Sequence, residues 1–284
     1  MKLTVISNLL LMGIPLIGFS QQPLVIGQSH TVHSRILREQ RTVNVYLPDG
    51  YLENDSAGYP VIYVIDGGMQ EDFLHISGIV QYSTQPWINR FPKSIVVGIE
   101  NTERRRDCTF AVDDLSFLDS LGFDKETFPN PGGSAAYIAF LENELQPFID
   151  SVYRTVEHRT VIGESLSGLL ASEILLKHRK LFDTYIIMSP SLWWDNGKLL
   201  RDAPMLLSSA NKEQVSVYVG ACNRGEDEEM YRYATELHGV LKRFGGPETV
   251  TYFDYLPQES HSTLIYQSVY NAFRMLYPNT IDKR

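Results

Sequence analysis

Five nearly continuous apolar runs punctuate the chain, at residues 61–66, 94–99, 160–163, 184–188 and 215–220, with a sixth candidate at 249–256. Runs this unbroken predict strands buried on both faces, as in a parallel sheet. Ahead of them, residues 29–39 and 42–47 alternate polar and apolar positions and predict antiparallel strands. Helical spacing occupies the gaps. It runs through 135–153 (Ile138, Leu141, Leu145), 167–178, 228–244 (Met230, Leu237, Val240, Leu241) and 262–276. Strands alternating with helices predict an α/β domain: a mostly parallel central sheet with helices on both faces. Residues 101–133 show no period and carry Pro129, Pro131 and paired glycines. They predict an excursion over the carboxyl edge of the sheet, where open α/β folds bind ligands.

Composition narrows the function. With 284 residues and 43% hydrophobic content, the chain can bury one sizeable core. A net charge of −9 argues against nucleic acid as a partner, because phosphate backbones call for surplus Lys and Arg. Residues 1–20 read as a secretory signal: Lys2, then an apolar stretch around 9–16, then small Gly18 and Ser20 ahead of Gln21. Cleavage after Ser20 would release a single domain, 21–284, to the periplasm or the exterior. The apolar stretch falls short of the ~20 residues a membrane span needs, and no second stretch could cross. Export would let Cys108 and Cys222 pair. Their spacing fits no zinc pattern, and nothing in the sequence calls for a metal or cofactor.

The sharpest motif is Gly163-Glu164-Ser165-Leu166-Ser167-Gly168, between a short apolar run and an apolar helical segment. That context predicts a nucleophile elbow with Ser165 at its tip. Ser167 stands where the strict pattern has Gly, and a plain helix cap is the simpler reading of Ser165. The Leu166 N–H at the helix start would face a developing oxyanion. The second donor is expected from Gly68 or Met69, after the strand ending at Asp66. The base should follow the nucleophile. His178 reads as a solvated helix end and His238 lies inside an amphipathic helix, so His261, in a polar loop, is the expected base. Between the two falls the loop after 215–220, with Glu226, Asp227, Glu228 and Glu229. Glu226 is the first choice for the acid and Asp227 the second, with Glu259 an outsider. A Ser–His pair without an acid stays open.

These motifs resemble the esterases related to enterochelin esterase, the feruloyl esterase modules and S-formylglutathione hydrolase. The resemblance extends over residues 42–276. It rests on 61–67, on Val96-Val97-Gly98-Ile99-Glu100-Asn101 with Arg106-Asp107, and on 140–147. The elbow, Ser189-Pro190-Ser191-Leu192-Trp193-Trp194 and Glu259-Ser260-His261 complete it. It implies an α/β-hydrolase fold and a serine hydrolase of carboxylic esters or thioesters. Ser165 matches the nucleophile and His261 the base. Substrates across such a family include siderophore trilactones and aromatic esters on polysaccharide. Trp193 and Trp194 could therefore line an aromatic or sugar-linked acyl pocket, or pack in the core. Arg106 could meet an anionic substrate group, or pair with Asp107. Two other readings stand beside the esterase: an acyltransferase on the same site, and an inactive glycan- or siderophore-binding protein on the same scaffold.

Overall fold

The apolar runs become the middle of one sheet. The computed structural model describes residues 21–53, 56–209 and 213–278, so the expected signal segment with its cut after Ser20 lies outside the described residues. The strands are β1 (Gln28–Ser34), β2 (Glu39–Tyr46), β3 (Tyr59–Val64), β4 (Ile95–Ile99), β5 (Thr155–Glu164), β6 (Thr184–Met188), β7 (Val215–Ala221) and β8 (Thr249–Tyr255). They lie side by side in the order β1-β2-β4-β3-β5-β6-β7-β8. β2 pairs antiparallel with β1 and β4, and every pair from β4 to β8 is parallel. β4 and β6 are buried along their whole length, as an unbroken apolar run requires when helices cover both faces.

The helices are α1 (Phe73–Ser83), the short α2 (Arg104–Asp107) and α3 (Ser116–Ser120), α4 (Ser134–Phe140), α5 (Gln146–Val152), α6 (Leu166–Lys177), α7 (Lys198–Ser209), α8 (Glu228–Phe244) and α9 (Leu264–Leu276). α1 and α9 pack on each other and on β4, β6, β7 and β8, while α6, α7 and α8 form a connected layer over β5 to β8. This is the α/β-hydrolase arrangement. Among the described residues, no helix is long and apolar enough to cross a membrane.

Local chemistry accounts for departures from the expected elements. The first strand stops at Ser34 instead of running to Glu39. Ser34 Oγ accepts the Leu37 N–H (2.8 Å), Glu144 Oε1 accepts the Arg35 and Ile36 N–H groups, and Arg38 takes a positive φ of 57°. The expected helix over 135–153 is α4 and α5 joined by a wide π turn at Leu141–Leu145. Pro147 has no N–H to donate and crowds the carbonyl four residues back, and the wider turn relieves both. The excursion 101–133 holds α2 and α3. It folds over the end of β6, where the Trp194 Nε1–H donates to Phe110 O (2.9 Å).

Candidate active site

The turn from β5 into α6 holds Ser165 in a conformation that side chains rarely adopt, φ 60° and ψ −118°. Such backbone costs about 1–3 kcal/mol and persists only where its surroundings fix it. The fixing groups are present. The Ser165 N–H donates to Met188 O (3.0 Å), and Ser165 O accepts the N–H groups of Leu169 and Ser191 (2.9 Å each). Gly163 allows the close approach of strand and helix, since a Cβ there would lie 2.3 Å from Ser167 O. Ser167, the departure from the strict motif, adds a clasp: its Oγ accepts the Glu164 N–H (2.8 Å) and lies 2.7 Å from Asp66 Oδ2.

His261 reaches this tip from the loop between β8 and α9. Its Nε2 is 3.1 Å from Ser165 Oγ, and Ser191 Oγ is 3.3 Å from the same oxygen. The loop is laced to the one after β7. There Asn223 N–H donates to Glu259 O (2.8 Å), Asn223 Nδ2 donates to Pro257 O (2.6 Å), and the His261 N–H donates to Glu226 Oε2 (2.9 Å). Glu226 thus meets the main chain of His261 and not its ring. Asp227 caps α8 by accepting the Met230 N–H (2.9 Å), Glu228 pairs with Arg224 (2.7 Å), and Glu259 accepts from Thr263 Oγ1 (2.7 Å). The ring nitrogen Nδ1 is buried and has no hydrogen-bond partner among the described residues.

Three residues that the sequence reading passed over surround the pair. Asp66, at the end of the strand run, accepts from Asn101 Nδ2 (2.7 Å) and from Arg104 Nε and Nη2 (2.7 and 2.9 Å). Burial opposes its charge, but Arg104, Ser167 and Asn101 outweigh burial and hold its carboxyl below the usual value. Arg104 Nη2 also donates to Glu164 O (3.1 Å). Glu164 itself turns Oε1 to within 3.3 Å of His261 Nε2. Burial pushes the Glu164 carboxyl up to about 8, Arg104 pulls it back, and Asp66 and Asp72 push it further. Burial also pushes the His261 imidazole below its usual value, against the pull of Asp227 and Glu226. Below about pH 8 the Glu164 carboxyl therefore holds its proton, and burial disfavours the charged form of the imidazole beside it. An Asp closing a buried strand and a charged residue inside an elbow were the signals that could have found this group.

Several expected site residues are placed elsewhere. The Gly68 N–H donates to Glu71 Oε2 (2.6 Å), so it is not a free oxyanion donor, whereas Leu166 opens α6, where the N–H has no intrahelical acceptor. Met69 lies on the surface beside that loop. Trp193 and Trp194 pack in the core. Both are buried under the excursion, Trp193 stacked on Phe123 and Trp194 set against Phe117 and Phe128. Arg106 meets no ligand position either, because it forks onto Glu39 (3.1 and 2.7 Å) and donates to Asp107 (2.7 Å). Cys108 and Cys222 do not pair; each is buried in its own surroundings as a free thiol. A cleft of about 540 Å³ between α7 and α8, lined by Leu200, Arg201, Tyr233 and Phe244, contains neither Ser165 nor His261.

Known proteins resemble this chain in sequence and fold. Residues 34–244 match the family described as "Putative esterase". The ferri-bacillibactin esterase BesA of Bacillus subtilis (strain 168) is 28% identical over 208 residues, 68% of each chain. A siderophore enterobactin esterase of Emericella nidulans is 34% identical over 82 residues, 28% of this chain and 27% of that one. The crystal structure of an IroE-like serine hydrolase from Shewanella oneidensis superposes with a TM-score of 0.80 at 28% identity, covering 88% of this chain and 80% of that one. The family match runs from the last residue of β1 through the elbow to the last residue of α8, and this chain belongs to that esterase family.

Proposed function

We propose that the chain is a serine esterase that cleaves siderophore esters through an acyl-enzyme. One observation carries the reading: Ser165 Oγ, at the tip of a strained strand-to-helix turn, lies 3.1 Å from His261 Nε2. In this reading Ser165 attacks the ester carbonyl while Nε2 takes its proton. The oxyanion faces the Leu166 N–H at the start of α6. The imidazolium then protonates the departing alkoxide, and a water activated by the same nitrogen releases the acyl group. Glu226 contributes by fixing the loop, since its bond is to the His261 main chain. The siderophore part is supported by the ferri-bacillibactin and enterobactin esterases among the relatives.

Fluorophosphonate labelling followed by mass spectrometry tests the chemistry. Ser165 should carry the label, and Ser165→Ala should lose about 10⁴-fold or more of the turnover of p-nitrophenyl acetate and of a catecholate trilactone. Turnover retained by a folded Ser165→Ala protein would refute the nucleophile. Cleavage of p-nitrophenyl acetate without the trilactone would leave an esterase and remove the siderophore assignment.

A further inference from the structure

Among the described residues one carboxyl is in contact with the ring of His261, and it is on an unexpected side. An orienting acid would meet Nδ1, yet Nδ1 is buried with no hydrogen-bond partner among the described residues. Glu226 is bound to the main chain of His261 and Asp227 is occupied as a helix cap. Glu164 instead faces Nε2, with Oε1 at 3.3 Å. That oxygen is also buried without a hydrogen-bond partner among the described residues, and the Glu164 side chain is only 17% exposed. Its main chain is clamped on both sides, the N–H by Ser167 Oγ and the carbonyl by Arg104. A flexible surface glutamate could turn to water; this one is held against the nitrogen.

We propose that Glu164 is the charge partner of His261, its carboxylate balancing the imidazolium that forms when Ser165 attacks. The inference rests on the Ser165–His261 reading above. In the step itself the Ser165 Oγ–H bond breaks and the Oγ–carbon bond forms. The carbonyl electron pair moves to oxygen, and the proton comes to rest on Nε2 beside Glu164. The leaving alkoxide then takes that proton, so Glu164 gains and loses none in the cycle. The other charges facing the pair are Arg104 from α2, Asp66 after β3, Asp72 at the start of α1, and Glu226 and Asp227 from the loop after β7. Asp66 is taken up by Arg104, Asp227 caps α8 and Glu226 is bound to the His261 main chain, so among these carboxyls Glu164 is the one placed against Nε2. Because burial holds the Glu164 carboxyl up to about 8, the resting pair must release a proton before the carboxylate can serve. The activity should therefore rise with pH as one ionisation of the pair.

The test is the profile of kcat/KM for p-nitrophenyl acetate between about pH 5 and about pH 10, for wild type, Glu164→Gln and Glu164→Asp. Wild type should rise with its midpoint near pH 8 and level off above it, following Glu164. In Glu164→Gln only the imidazole remains to titrate, so the acid limb should move down by about one unit or more. Its plateau should fall roughly 10- to 100-fold, because the imidazolium has lost its anion. Glu164→Asp should keep the wild-type limb and recover part of the rate. An unmoved acid limb in folded Glu164→Gln overturns the proposal, whatever its rate, since a purely structural role changes rates without changing the ionisation. If Glu164→Gln does not fold, a wild-type plateau in Glu164→Asp overturns it instead. Fluorophosphonate labelling separates the two failures. An unlabelled Ser165 in wild type removes the hydrolase reading and this proposal together, while a labelled Ser165 with an unmoved limb removes this proposal alone.

Discussion

Replacing Glu164 by Gln should make the protein more stable, and more so at higher pH. The folded carboxyl titrates at about 8 against an ordinary value of 4.5. Between those values the folded protein keeps a proton that the unfolded chain has released. Raising the pH through this window therefore favours unfolding, by about 1.4 kcal/mol per unit. Across the whole window the cost approaches about 5 kcal/mol as an upper limit, and about 2–5 kcal/mol is the range to expect for a side chain with some solvent contact. Gln keeps the shape and cannot ionise. The stability difference between variant and wild type should thus be flat below pH 4.5, grow through the window and level off above about 8. Urea unfolding of both proteins at about pH 5 and about pH 9, with matched m-values, measures it. The same difference at both pH values would refute the claim that burial holds a proton on this carboxyl. A gain of this size is large beside the ~5–15 kcal/mol of net stability a domain possesses, which marks Glu164 as a residue placed against the interest of the fold.

Two further outcomes follow from the contacts. Glu226→Ala removes the acceptor of the His261 N–H and should lower kcat by roughly 10-fold or more, whereas Glu226→Gln keeps an acceptor oxygen and should stay near wild type. A Gln variant as slow as the Ala variant would show that charge, and not the hydrogen bond, is what counts. Trp194→Phe strips the part-buried Phe110 carbonyl of its donor and should cost about 1 kcal/mol in denaturant unfolding, with KM for small esters unchanged. An altered KM at unchanged stability would return Trp194 to the substrate pocket.

What could be read from the sequence was what depends on local pattern. The β4, β6 and β7 runs are continuous because both faces are covered, and the elbow is recognisable because strand, turn and helix are contiguous in the chain. His261 was reachable by the same logic, since chain order and a polar loop pointed to it. The partners of these residues were not, because they are set by side-chain direction across the fold. Glu226 and Asp227 sit in the expected loop, yet one turns to a backbone amide and the other caps its own helix. Trp193 and Trp194 follow the expected strand, but the aperiodic segment after β4 supplies Phe117, Phe123 and Phe128 to bury them. The Arg104-Arg105-Arg106 run shows the same limit. The first and last guanidinium groups diverge, Arg104 to Asp66 and Arg106 to Glu39, and only a three-dimensional arrangement distinguishes them.

Ser165 and His261 are anchored very differently. Ser165 follows β5, a strand in the middle of the sheet, and is tied to its neighbour β6, whereas His261 follows β8, an edge strand whose residues are mostly half-buried. Beyond β8, His261 is kept in register by a few loop-to-loop bonds involving Asn223 and Glu226. Parts held this way open before the globular core does. The enzyme should accordingly lose its turnover at a lower urea concentration than its far-ultraviolet circular dichroism, and regain it on dilution without refolding of the core. Coincident loss of the two signals would show that the loops and the sheet fail as one unit. If the losses separate, the weakest point of the catalyst is the lacing of two loops, and strengthening that lacing would extend its working range without a change to a single core residue.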